Sequence, residues 1–75
     1  MVLDKVIEII ADQLELDVKD ITAGSSLTED LKADSVDVVG IIMNLEGEFG
    51  LEFPYEDLEK IATVGDAVNY IEGQQ

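Results

Sequence analysis

The covalent and ionic chemistry open to this chain rests on three serines (Ser25, Ser26, Ser35), four lysines (Lys5, Lys19, Lys32, Lys60) and 18 Asp and Glu carboxylates, with no histidine and no cysteine. Nucleophilic catalysis normally pairs a hydroxyl or thiol with a nearby base, and His and Cys are both missing, so an autonomous catalytic triad is excluded. No Gly-rich phosphate loop and no G-x-S-x-G elbow surrounds any of the serines. Carboxylate pairs could do acid-base work in principle. In a chain of 75 residues there is little room for a substrate cleft, so they read as solvated surface. Residues 34–40 begin with Asp and end with Gly, yet Val36 and Val38 stand where an EF-hand loop needs oxygen ligands, and no metal site is read there. The expectation is a protein that is not an enzyme and holds no metal.

What remains is the polar cluster Asp34-Ser35-Val36-Asp37 ahead of an apolar-rich run. Local chemistry gives it two uses. Asp34 or Ser35 can cap a helix by accepting an amide hydrogen bond, with Asp37 favoured at the positive end of the macrodipole. Equally, a serine oxygen at a helix start is exposed, and a phosphate attached to it would face free N–H groups and the helix dipole.

The elements that must place this cluster follow from periodicity. Leu3, Val6, Ile7, Ile10 and Leu14 recur at helical spacing with Asp4, Glu8 and Asp12 on another face, which predicts a first amphipathic helix over residues 3–15. Residues 16–34 lack a sustained period and contain Gly24-Ser25-Ser26. This long loop carries Leu16, Val18, Ile21, Leu27 and Leu31, which are expected to pin it to the core. The second helix is predicted over 36–49, with Val38, Val39, Ile42, Leu45 and Phe49 on its inner side and Gly50 as its stop. Pro54 opens a short third helix through Ile61, and Thr63 with Asp66 forms a capping box for a fourth that buries Ala67, Val68 and Ile71 with Tyr70. Gly73-Gln74-Gln75 reads as a frayed end. The predicted fold is all-α, a small four-helix bundle with a long first loop and a short third helix, forming one domain over 1–75.

Composition narrows the partners. Lys and Arg total 4 against 18 acidic residues, a formal charge of −14, so nucleic acid and anionic membrane surfaces are repelled and proteins with basic patches are attracted. The hydrophobic fraction of 47% is too high for an acidic disordered tail. The first 16 residues carry Asp4, Lys5, Glu8 and Asp12, and no stretch reaches a membrane-spanning length, so the expectation is a cytoplasmic protein without membrane insertion, a reading that a mature organellar protein stripped of its transit peptide would share; a monomer is expected.

The run Leu31-Lys32-Ala33-Asp34-Ser35-Val36-Asp37 is followed by Met43-Asn44-Leu45-Glu46-Gly47-Glu48-Phe49-Gly50 and then by Thr63-Val64-Gly65-Asp66-Ala67-Val68. Together these resemble an acyl carrier protein of the bacterial type II fatty-acid synthesis type, over nearly the whole chain. The resemblance implies that 4′-phosphopantetheine is esterified to Ser35 by a phosphopantetheinyl transferase using coenzyme A and magnesium. Acyl groups then ride on the arm as thioesters between acyl-processing enzymes. It also implies that the second helix meets basic patches on those enzymes, through the charges of Asp34, Asp37 and Glu46 and the apolar side chains of Val36 and Met43. Leu27, Val39, Leu45, Phe53, Ile61, Ala67 and Ile71 match positions that in the family surround the acyl chain, and periodicity alone also assigns them to the core.

Three positions depart from the family pattern. Gly40 and Gly47 stand where glutamates are usual, and Lys32 replaces the usual glycine ahead of Ala33-Asp34. A specialised carrier for polyketide or other acyl-modification pathways would use the same motif. An unmodified acidic adaptor that binds basic proteins would use Ser35 only as a cap.

Overall fold

A computed structural model describes residues 1–74, and Gln75 lies outside the described residues. Helix α1 spans Val2–Leu14 and turns Val6, Ile10 and Ala11 fully inward, with Leu3, Ile7 and Leu14 packed at the margin of the core. It ends where Glu15 adopts a left-handed conformation at φ 58°, its N–H donating to the Ala11 carbonyl. Helix α2 spans Ser35–Phe49, and α3 spans Val64–Gln74. The all-α expectation holds. Among the described residues the one extended pairing is an isolated antiparallel bridge between Ser26 and Thr63.

Helix α1 packs against both α2 and α3. Where the three meet, Val6, Ile10, Ile41, Leu45, Val64 and Ile71 are at most 1% exposed, and Leu27 from the connecting loop joins them. Truncating one of the larger of these to alanine costs about 2–5 kcal/mol, because the vacated space cannot fully collapse. Residue 50 is a requirement of geometry: Gly50 closes α2 at φ 65°, where a side chain would be strained.

Several sequence expectations change in detail. The third element is a 3₁₀ helix over Tyr55–Lys60, with Pro54 before its first turn rather than in it. Six residues can close few i→i−4 bonds, so the tighter winding wins. Of the predicted frayed end, Gly73 and Gln74 instead continue α3, and Gln75 lies outside the described residues. In the long loop Ile21, Leu27 and Leu31 are buried as expected, but Leu16 and Val18 are 38% and 50% exposed, Val18 opening a short 3₁₀ turn over Val18–Asp20. On α2 the inner stripe runs through Ile41, Ile42 and Leu45, and Val39 is 51% exposed instead of core-facing.

The loop is ordered by hydrogen bonds as well as by apolar side chains. Thr22 N–H donates to Ser25 Oγ, and Ser26 Oγ accepts from Glu29 N–H. Its far side is joined to the approach and first turn of α3: Leu27 N–H donates to Ala62 O at 3.0 Å, Val64 N–H to Ser25 O at 3.0 Å and Gly65 N–H to Ala23 O at 2.7 Å. A second link runs from Ala33 N–H to Leu27 O at 2.9 Å. Two hydrogen bonds in series therefore connect the entry to α3 with the residue that precedes the cap of α2.

Candidate functional site: an exposed serine at a helix start

Asp34 is the N-cap of α2. Its Oδ1 accepts the N–H of Asp37 at 2.9 Å, while Asp37 Oδ2 accepts the N–H of Asp34 at 3.2 Å, a reciprocal capping box built from two aspartates. The choice left open by the sequence is thereby resolved: Asp34 caps, and Ser35 is the first helical residue. The N–H groups of Ser35 and Val36 lie in the first turn, where the helix has no carbonyl to offer them. An anion on the Ser35 oxygen would sit against these donors and the positive end of the helix.

The three serines differ sharply. Ser25 is buried, and its Oγ accepts from Thr22 N–H and lies 3.3 Å from Thr22 Oγ1. Ser26 is half-buried with its Oγ engaged by Glu29. Ser35 is exposed, and among the described residues no hydrogen bond uses its hydroxyl. It also lies at the mouth of a cleft of about 430 Å³ lined by Leu27, Ala33, Val38, Val39, Tyr55 and Ile61. A phosphodiester with a flexible arm fits this arrangement: a free hydroxyl for attachment, unpartnered amides for the phosphate and an apolar recess beside it.

The remaining predicted site residues are arranged around this point. Val36 and Met43 are 77% and 64% exposed, and with Val39 they form an i, i+3, i+7 apolar line along the outer side of α2. Asp34 is exposed and Asp37 half-buried, both tied into the cap. Glu46 sits apart from them. It is half-buried, and its Oε2 accepts the Phe53 N–H at 2.8 Å, so this carboxylate anchors the loop after α2. Sequence reasoning missed Tyr55, which is 85% exposed at the cleft, and it assigned Val39 to the interior. No periodic signal marks a lone tyrosine in a short turn.

Two departures from the family pattern acquire physical content. Lys32 is at φ 63°, the left-handed region in which glycine is unstrained and a side chain is not. Gly40 is half-buried against α1, where an added Cβ would lie 2.7 Å from Gln13 Nε2. Gly47 faces open space.

Beyond the cleft, carboxylates are placed by backbone and tyrosine donors. Asp66 accepts from the N–H groups of both Ala62 and Thr63, each at 3.0 Å, and these bonds hold its carboxyl below the usual range. Thr63 Oγ1 in turn accepts the Asp66 N–H, the capping box expected for the last helix. Tyr70 stacks on Phe53 with centroids 4.7 Å apart, and its hydroxyl donates to Asp57 Oδ2 at 2.9 Å. That bond, with Lys60 nearby, lowers the Asp57 carboxyl, while burial and the same carboxylate raise the Tyr70 hydroxyl.

The family described as the phosphopantetheine attachment site matches residues 4–71 of this helical fold, and that match defines a carrier domain. The chain belongs to that family. It is 55% identical to an acyl carrier protein of Clostridium acetobutylicum over 71 residues, 95% of this chain and 92% of that one. Among solved structures, the acyl carrier protein of Enterococcus faecalis superposes with a TM-score of 0.82 at 42% identity, covering 99% of this chain and 94% of that one. A candidate acyl carrier protein of Mycobacterium tuberculosis superposes with a TM-score of 0.93 at 29% identity over the full length of both. The chain is thus an acyl carrier and not a catalyst, with 4′-phosphopantetheine held covalently on a serine. Among the described residues no helix is long and apolar enough to cross a membrane.

Proposed function

We propose that Ser35 is the attachment serine and that the whole chain, 1–75, acts as one carrier of acyl intermediates in fatty-acid biosynthesis. One observation carries the residue assignment: of the three serines, Ser35 alone is exposed with its hydroxyl unengaged. The bound arm supplies a thiol, on which acyl groups are held as thioesters. Everything else is positioning by this chain. The Asp34–Asp37 cap fixes the start of α2, the amides of Ser35 and Val36 face the phosphate, and the cleft between Val38, Val39 and Ile61 offers apolar cover to the beginning of an acyl chain.

The partner face is α2. Val36, Val39 and Met43 provide apolar contact beside the charges of Asp34 and Asp37, a combination that suits enzymes with basic patches around a hydrophobic contact point. Glu46 contributes field from a fixed position, because it is held by Phe53 N–H. With −14 on each copy, self-association is opposed, so the carrier works as a monomer, in the cytoplasm, with the transferase and the acyl-processing enzymes in turn.

Incubation with a phosphopantetheinyl transferase and coenzyme A, read by intact mass, tests the assignment. The expected result is full conversion of the parent chain and none of Ser35→Ala, with tandem mass spectrometry placing the added group on Ser35. Conversion of Ser35→Ala would move attachment to another serine. A parent chain that is never modified would favour the adaptor reading.

A further inference from the structure

The outer side of α1 concentrates features that destabilise the isolated chain. Asp4, Glu8 and Asp12 are exposed at four-residue spacing, where like charges repel, and among the described residues none of them forms an ion pair. Asp12 and Glu15 lie at the C-terminal end of the helix, the negative end of its dipole, and the last turn holds no basic residue. Glu15 also occupies a left-handed backbone position at φ 58°. Beside these carboxylates, Leu16 and Val18 leave much of their apolar surface in water. A broad, open depression of about 630 Å³ is lined by Glu8, Asp12, Glu15, Leu16 and Val18. A second of about 260 Å³ shares Glu8 and Val18 with it and continues to Asp4, so the two form one groove. At its end Lys19 is already matched by Asp17 at 3.7 Å.

We infer that this groove is a second docking surface, for a helical protein segment that presents Lys or Arg beside apolar side chains. Charge complementarity fixes the class of occupant. A cation brought from outside relieves the carboxylate spacing and the uncompensated helix end together, and an apolar side chain of the same segment covers Leu16 and Val18. From Asp4 to Glu15 the helix rises about 16 Å, room for roughly three turns of a segment lying alongside. An anionic membrane and a second copy of this chain are both repelled by the same field. Neither Ser35 nor any residue of α2 lines the groove, so a protein seated there leaves the attachment serine free.

The test uses the full chain and, as probe, a synthetic amphipathic helix of lysine and leucine, with binding measured by calorimetry and by amide shifts in NMR spectra. Leu16→Gln with Val18→Gln keeps the net charge, and the loss of apolar cover should weaken binding about tenfold. Glu8→Gln with Asp12→Asn and Glu15→Gln should weaken it further than Glu29→Gln with Glu52→Gln and Glu59→Gln, three exposed positions outside the groove. The α1 triple should also raise the thermal midpoint, a change opposite to that of a damaged fold. Amide shifts should map to residues 4–19. Equal weakening by both charge triples with no effect of the apolar pair would reduce the interaction to net charge and overturn the proposal. Shifts confined to residues 35–46 would overturn it as well, since the probe would then be reading the α2 face alone.

Discussion

Asp34 and Asp37 each accept the other's backbone N–H, at 2.9 and 3.2 Å respectively, and the serine between them takes no part. With Ser35 as the proposed attachment serine, this separates stability from modification. Ser35→Ala in the unmodified protein should change unfolding free energy by less than about 0.5 kcal/mol, as for a surface substitution away from any special feature. Asp34→Ala, which removes the acceptor of the cap, should cost about 0.5–2 kcal/mol. Urea unfolding of both variants checks the order, and a larger loss for Ser35→Ala would mean that its hydroxyl supports the helix start.

Three glycines predict three different outcomes on replacement by alanine. At Gly47 nothing stands within 4 Å of the new Cβ, so the gain should approach the helix-propensity difference of about 0.5–1 kcal/mol. Gly40→Ala should gain less. Its Cβ displaces the end of Gln13, whose Oε1 accepts from Asn44 Nδ2 at 2.8 Å across the α1–α2 seam. Gly65→Ala should destabilise, because the Cβ would lie 3.0 Å from the Ala23 carbonyl, which is fixed by the Gly65 N–H itself. Thermal unfolding of the three variants in one buffer gives the ranking Gly47, Gly40, Gly65 from most to least stable.

Lys32→Gly should stabilise the chain by about 1 kcal/mol, since the left-handed backbone at φ 63° costs a side chain roughly 1–2 kcal/mol and glycine returns part of that as unfolded-state entropy. Chemical denaturation measures the gain directly. No gain would show that the exposed lysine makes a favourable interaction that offsets the strain.

The Tyr70–Asp57 hydrogen bond should leave its mark at both ends of the pH range. The folded-state pKa of Asp57 is below its ordinary value of 3.8, so its contribution is complete above that value and is lost as pH falls through the lowered one. The folded-state pKa of Tyr70 is above 10.0, so its contribution is complete below 10 and is lost as pH rises through the raised value. Tyr70→Phe should flatten both limbs of the stability profile, measured at high salt to screen the overall repulsion. Asp66→Asn should flatten only the acid limb, its carboxyl being lowered by the N–H groups of Ala62 and Thr63. Profiles that merely shift downward in parallel would contradict both assignments.

Much of this architecture was legible in the sequence, for reasons that also mark where legibility stopped. The apolar spacing of α1, the Gly50 stop and the Thr63–Asp66 capping box are local signals, and each corresponds to the observed element. The α2 start was equally local, though which of Asp34 and Ser35 caps it depended on hydrogen-bond geometry. What could not be read was tertiary. Residues 16–21 have no period, so nothing in the chain says that Ile21 turns inward while Leu16 and Val18 do not. Val39 stands between the half-buried Val38 and Gly40, and its half-exposure depends on how α2 is rotated about its axis. Glu46 looks like any surface carboxylate until the loop after Gly50 brings Phe53 N–H to it. The contact between Gly40 and Gln13 exists only because two helices cross there.

The stitches from the loop to the entry of α3 have a temporal meaning. Ala62 holds Leu27, Leu27 holds Ala33, and Ala33 adjoins the cap that sets Ser35. During synthesis the serine emerges long before Ala62, Val64 and Gly65, and until those residues arrive its surroundings lack the bonds that order them. With Ser35 as the proposed attachment serine, a transferase that recognises the finished start of α2 therefore meets its proper substrate only after the first turn of α3 has been made. The finished surroundings of the serine near the middle of the chain thus wait on bonds made by residues near its far end.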